Sequence, residues 1–173
     1  MSIEYFSNFP SIYYFFNGDE STAIKVPHIL RRFKILDFYE KNPDLFDEYF
    51  VNDGDRPDLI ALKLYDNSYL YWLIYLANSI VNPTDFPKSS YELDRFIEMK
   101  YGVGNQFGIH HYVNNSGHVV DATDPQATIV TNIIYEESLN NAKRSIRVLK
   151  RKYVDYILRE ISNIVQDLDP RKL

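Results

Sequence analysis

Phe46-Asp47-Glu48-Tyr49-Phe50-Val51, Asn52-Asp53-Gly54-Asp55 and Arg56-Pro57-Asp58-Leu59-Ile60-Ala61-Leu62-Lys63-Leu64-Tyr65 form the continuous stretch whose reading decides the fold. Its first six residues are rich in aromatics and read as a short strand, which the turn formers Asn52 to Asp55 end. A helix follows. Asp55 can accept from the free N–H groups at its start, and Pro57 suits the first turn, where an amide hydrogen would have no intrahelical acceptor. Ile60, Ala61, Leu64 and Tyr65 then recur at helical spacing as a buried stripe. Asn67-Ser68 breaks this helix and caps a second, Tyr69–Ala77, which is apolar on nearly every side and so demands cover all round. Strand, helix and helix in succession predict an α+β protein.

Upstream, Ile3–Phe16 is an aromatic, apolar stretch interrupted by Pro10 and closed by the turn formers Asn17-Gly18-Asp19, so an arm or edge hairpin suits it better than a helix. Ala23–Tyr39 is mixed. Val26, Ile29, Leu30, Phe33 and Leu36 step by three and four, predicting a helix that starts near Pro27 and stops at Asn42-Pro43.

Downstream, Ser89-Ser90-Tyr91-Glu92 has the spacing of a capping box, Leu93, Phe96, Ile97 and Tyr101 give the helix after it an apolar face, and Gly102 suits its end. Ile109–Val113 and His118–Val120 flank Asn114-Asn115-Ser116-Gly117 as a β-hairpin. From Tyr135 on, Tyr135, Leu139, Ala142, Ile146, Leu149, Tyr153, Ile157 and Ile161 permit one long helix. Ile146 and Val148 equally permit a strand over Ile146–Leu149 with a helix after it.

A chain of 173 residues, 45% hydrophobic and 25% charged, is long enough for an ordinary core and far from the composition of disorder. With no cysteine there is no disulfide framework, thiolate metal site or cysteine nucleophile. The longest apolar run, Leu70–Ala77, is too short to span a bilayer, which takes about 20 residues. Nothing at Met1-Ser2-Ile3-Glu4 resembles a secretory signal. The net charge of −5 argues against general nucleic-acid binding.

Charge is unevenly placed. Lys143, Arg144, Arg147, Lys150, Arg151 and Lys152 put six cations in ten residues with no acid among them. Such a run is a solvated face or a dock for an acidic surface, with phosphate binding third because the stretch lacks interleaved aromatics for base stacking. Arg144, Arg147 and Arg151 are its expected anchors, because a guanidinium grips carboxylates with two prongs. Tyrosine and phenylalanine are abundant, 15 and 11 residues, and both are enriched where protein surfaces meet. In the arm this singles out Tyr5, Phe6, Tyr13 and Tyr14 as partner-binding candidates.

His110, His111 and His118 with Asp121 are the one grouping with metal-ligand character. Strand alternation sends His110 and His111 to opposite faces, so the reading assigns these residues to an ordinary hairpin and no metal to the protein. Carboxylates such as Asp53 and Asp55 lie in loops without a buried base, and no nucleophile elbow, phosphate loop, dinucleotide fingerprint or His-Glu-x-x-His is present. The sequence therefore predicts no catalytic residues, no cofactor and no small-molecule substrate.

Gly54, Asp55, Ile60, Ala61 and Asn78 fall on the pattern of a LysM module, with Arg56 and Pro57 at its Thr and Leu positions. Gly54-Asp55-Arg56-Pro57-Asp58-Leu59-Ile60-Ala61, Tyr71-Trp72-Leu73-Ile74-Tyr75-Leu76-Ala77-Asn78, Phe86-Pro87, Ile97-Glu98-Met99-Lys100-Tyr101-Gly102 and Lys143-Arg144-Ser145-Ile146-Arg147-Val148-Leu149-Lys150 resemble the LysM-like baseplate wedge subunits of T-even-type contractile-tailed phages, the gene 53 products. The resemblance implies a virion structural protein of the tail baseplate, assembled in the host cytoplasm. Such a subunit binds the wedge core and helps join neighbouring wedges around the hub, so its partners are other wedge subunits, not nucleic acid or membrane. The chain is read as an N-terminal arm and helix over residues 1–45, a LysM-like strand-helix-helix domain over 46–102, and a hairpin with a C-terminal strand/helix segment over 103–173, and the resemblance favours the strand-then-helix reading of that segment. The alternative is a LysM-type module that binds peptidoglycan or chitin.

Overall fold

The computed structural model describes residues 9, 11–15, 18, 23–28 and 42–167. Helices and strands are mixed along the chain, as expected of an α+β protein. β1 (Ser11–Phe15) pairs antiparallel with β2 (Ala23–Pro27), Ser11 opposite Pro27 and Phe15 opposite Ala23. Residues 11–15 of the arm are thus one half of a hairpin, and the rest of the arm, Phe9 apart, lies outside the described residues. β2 runs through Pro27, where a helix was expected to begin; β-branched Ile24 and Val26, alternating with Ala23 and Lys25, suit a strand. The remainder of that expected helix lies outside the described residues.

The chain divides into two compact units. One comprises residues 1–49, 56–83 and 147–173, the other 50–55 and 84–146.

β3 (Phe46–Phe50) pairs with β7 (Ser145–Leu149), and residues 46–49 and 147–149 of these strands belong to the first unit. Just beyond them Lys150 N–H donates to Leu45 C=O (2.9 Å). The exposed, buried, exposed, buried order of Ser145, Ile146, Arg147 and Val148 is that of a half-covered strand, and this decides between the two readings of Ile146–Leu149. α1 (Pro57–Tyr65) starts on Pro57 with Arg56 as N-cap, one residue after the expected Asp55. It buries Ile60, Ala61 and Tyr65 and ends at Asp66, whose φ of 55° is left-handed. Asn67 Oδ1 accepts from Tyr69 N–H (2.9 Å) and opens one 3-10 turn, Ser68–Leu70, that runs into α2 (Tyr71–Ala77). Trp72, Leu73, Ile74 and Ala77 are buried, and Tyr71 remains partly exposed. α5 (Arg151–Asp167) completes the unit with Val154, Ile157 and Ile161 turned inward.

In the second unit, α3 (Ser90–Tyr101) has the expected capping box: the Ser89 side chain accepts from Glu92 N–H, and the Glu92 carboxylate accepts from Ser89 N–H. Gly102 ends it at φ 93°, a conformation open to glycine at little cost. β4 (Ile109–Val113) lies between β5 (Val119–Val120) and β6 (Thr128–Thr131), antiparallel to both. The hairpin of β4 and β5 was expected; β6, four residues long, was not. α4 (Asn132–Ala142) follows at once. The face expected of it, Tyr135, Leu139 and Ala142, is not the buried one. Asn132, Glu136 and Asn140, four residues apart, turn inward, whereas Ile134 and Leu139 are 51% and 43% exposed.

Candidate partner interface

The expected partner residues of the arm divide. Tyr5 and Phe6 lie outside the described residues. Tyr13 and Tyr14 are 52% and 55% exposed on β1, and Phe15 beside them is 46% exposed. Successive strand residues point to opposite faces, so both faces of this two-stranded hairpin carry aromatic surface. Across the pair, Tyr14 stands opposite exposed Ile24 and Tyr13 opposite Lys25. A lone hairpin of two strands is marginal in water, and half-exposed aromatics on both faces are surface that association can cover.

The arginines of the basic run differ in what they hold. In the second unit, the Arg144 side chain is 12% exposed. Its guanidinium donates to Val51 C=O (2.9 Å) and Asn141 Oδ1 (3.1 Å) and stands 3.6 Å from the Asp53 carboxylate. Asp53 in turn accepts from the backbone N–H and hydroxyl of Ser90 (2.7 and 2.9 Å), and these bonds, with Arg144, hold its carboxyl below the usual range. In the first unit, Arg147 donates to Ala77 C=O (3.0 Å) and lies over the Phe46 ring at 5.3 Å, and as a residue it is exposed on β7. Arg151 makes a 3.4 Å ion pair with Asp66, both side chains more than half exposed. Lys150 reaches Asp44 C=O (2.8 Å) and stands 3.7 Å from the Asp47 carboxylate.

Each unit also has polar joints that spacing alone does not reveal. Asn78 follows α2, and its side-chain amide reads both backbone groups of Arg147 on β7, donating to the C=O and accepting from the N–H, each at 2.8 Å. Asn140 on α4 treats Lys88 the same way, at 2.9 and 2.8 Å. Beneath it, buried Glu136 accepts from Lys100 Nζ and the Tyr101 hydroxyl, both at 2.6 Å. Burial pushes the Glu136 carboxyl up, but these two donors outweigh it and hold the group below its ordinary value. Lys100 is correspondingly raised, first by its bond to Glu136. The partners stand 35 to 69 residues apart in sequence, beyond any local motif.

The sequence model of one family, described as base plate wedge protein 53, matches residues 5–126. The chain belongs to that family. It is a structural protein of a phage tail baseplate, and membership implies interaction with other baseplate proteins. The match begins in the arm and runs through β5, so the aromatic hairpin falls inside it and the basic run of residues 143–152 beyond it. No curated protein matches the chain. Among the described residues, no helix is long and apolar enough to cross a membrane.

Proposed function

We propose that this wedge-family protein binds the wedge core and helps join neighbouring wedges around the hub of a contractile tail, with its N-terminal hairpin as a principal contact. The observation that carries the reading is the aromatic surface of Tyr13, Tyr14 and Phe15, half exposed on a two-stranded element. Exposed aromatic area of this kind is a common source of binding energy once a partner desolvates it. Arg147 and Arg151 add positive charge toward an acidic partner face, and Arg144 serves the chain's own carbonyls. We also read β3, α1, α2 and β7 as a LysM-like unit whose second strand is delivered only after residues 84–144. Support for this is the pairing of β3 with β7 and the grip of Asn78 on Arg147.

The test is reconstitution of wedges from purified baseplate proteins with the wild-type chain or with Tyr13→Ser/Tyr14→Ser. The variant is expected to keep its circular dichroism and lose incorporation, read by sedimentation. Normal incorporation would remove the hairpin from the interface. Retention of the wild-type chain on insoluble peptidoglycan, with no incorporation into wedges, would favour the glycan-binding alternative.

A further inference from the structure

Residues Ile109 and His111 of β4 pair with Thr131 and Val130, which are adjacent on β6, so His110 is an extra residue in the strand. Such a bulge breaks the alternation that would otherwise put neighbouring side chains on opposite faces. Both histidine rings consequently meet Tyr135 on α4. His110 stacks on it with centroids 3.9 Å apart and planes 14° from parallel, and His111 meets it edge-on at 5.7 Å. Tyr101 approaches the His110 ring edge-on at 6.1 Å. The two Nδ1 atoms face each other 2.7 Å apart.

Two imidazole nitrogens at that separation need a positive centre between them, either one shared hydrogen or a metal cation. We propose that His110 and His111 form a two-nitrogen chelate for a tetragonal divalent ion, copper or nickel, bound by both Nδ1 atoms once the ring that carries the shared hydrogen releases it to water and takes up a proton at Nε2. Geometry selects the class of ion. With metal–nitrogen bonds of about 2.0 Å, nitrogens at this spacing subtend roughly 85° at the metal, close to the right angle between neighbouring positions of a tetragonal ion. A tetrahedral zinc ion would hold them about 3.3 Å apart. Copper also stands highest in the affinity order of the divalent first-row ions.

The surroundings suit a cation. Stacking on Tyr135 fixes the His110 ring before any ion arrives, which lowers the ordering cost of binding. Lys100, next to Tyr101, is matched by Glu136, and the Tyr101 hydroxyl donates to that same carboxylate, so the charge of Lys100 is paired before any ion arrives. Asp121 is engaged by the backbone N–H and hydroxyl of Thr123 (3.0 and 2.8 Å). Among the described residues, no three or more His, Cys, Asp or Glu side chains gather around one point, so water completes the coordination.

The experiment titrates the full chain with copper(II) sulfate, followed by calorimetry and electron paramagnetic resonance, alongside His110→Gln, His111→Gln and His118→Gln. Expected are one copper ion per chain and a nitrogen hyperfine pattern from two imidazoles. Affinity should fall at least tenfold in His110→Gln and in His111→Gln and stay unchanged in His118→Gln. Equal affinity in wild type and His111→Gln, equal loss in His118→Gln, or a one-nitrogen pattern would each overturn the proposal. Far-UV circular dichroism separates lost ligation from lost folding. If His110→Gln disturbs the stack on Tyr135, His111→Gln decides alone.

Discussion

Around α1 and α2 the inward residues are Ile60, Ala61, Trp72, Leu73, Ile74 and Ala77, an apolar interior with Tyr65 among them, its hydroxyl pushed up to about 12 by burial. Around α4 the inward residues are Asn132, Glu136 and Asn140, and each is held by a named partner: Asn105 C=O, Lys100 with Tyr101, and Lys88. The two units share one device, an asparagine that reads both backbone groups of a distant residue, Asn78 on Arg147 and Asn140 on Lys88. Apolar burial is non-directional and tolerates exchange of shape for similar shape, whereas a buried polar face works only with every partner present. The first unit should therefore respond to lost volume and the second to lost hydrogen bonds.

The largest effect is expected where volume is lost. Trp72→Ala removes a nearly fully buried indole and should destabilise the chain by about 3–5 kcal/mol, measured by denaturant unfolding. An unchanged midpoint would mean that the apolar unit does not depend on its largest side chain.

Glu136→Gln keeps shape and removes charge, so it isolates the polar unit's chemistry. Breaking a fully buried ion pair costs about 3–5 kcal/mol, but Lys100 is nearly half exposed, which reduces the expected cost to about 1–3 kcal/mol. The sign with pH follows from the lowered carboxyl. Its stabilising contribution is complete above the ordinary glutamate range and is lost as pH falls through the depressed folded-state value. Wild type should thus lose stability in acid more steeply than the variant. Parallel acid profiles would show that the carboxylate is not what holds the unit.

Asn78→Ala and Asn140→Ala sharpen the comparison, since each deletes a pair of bonds to the backbone of a distant residue, and Asn78→Ala also deletes the bond that Asn78 donates to Ile74 C=O (2.8 Å). Each should cost about 1–3 kcal/mol, with backbone groups of Arg147 or Lys88 left without that amide. The smallest change is expected from Arg151→Ala, whose exposed pair with Asp66 contributes about 0–1 kcal/mol. A thermal midpoint within a degree or two of wild type, with slower wedge joining, would assign Arg151 to the partner.

Legibility in the sequence followed the same division. The strand at Phe46, the helix on Pro57, the break at Asn67, the capping box at Ser89 and the ending at Gly102 rest on contacts within a few residues, so local spacing reveals them. The face of α4 did not follow from spacing, because its polar residues are buried by acceptors and donors 27 to 52 residues away while Ile134 and Leu139 face out. Arg144, read as an anchor for a partner, donates to Val51 across 93 residues.

By itself the sequence determined the α+β class, the elements of residues 46–77 and the unevenness of charge, because each depends on local periodicity, turn chemistry or residue type, and its motifs carried the resemblance to the family that matches residues 5–126. Tertiary structure alone decided that β3 finds its partner in β7, that α4 turns its amides inward, and that one extra residue in β4 brings His110 and His111 to the same side. The reason is physical: a strand or helix carries its period in its own residues, but which face is covered, and by what, depends on groups that only the folded chain brings near.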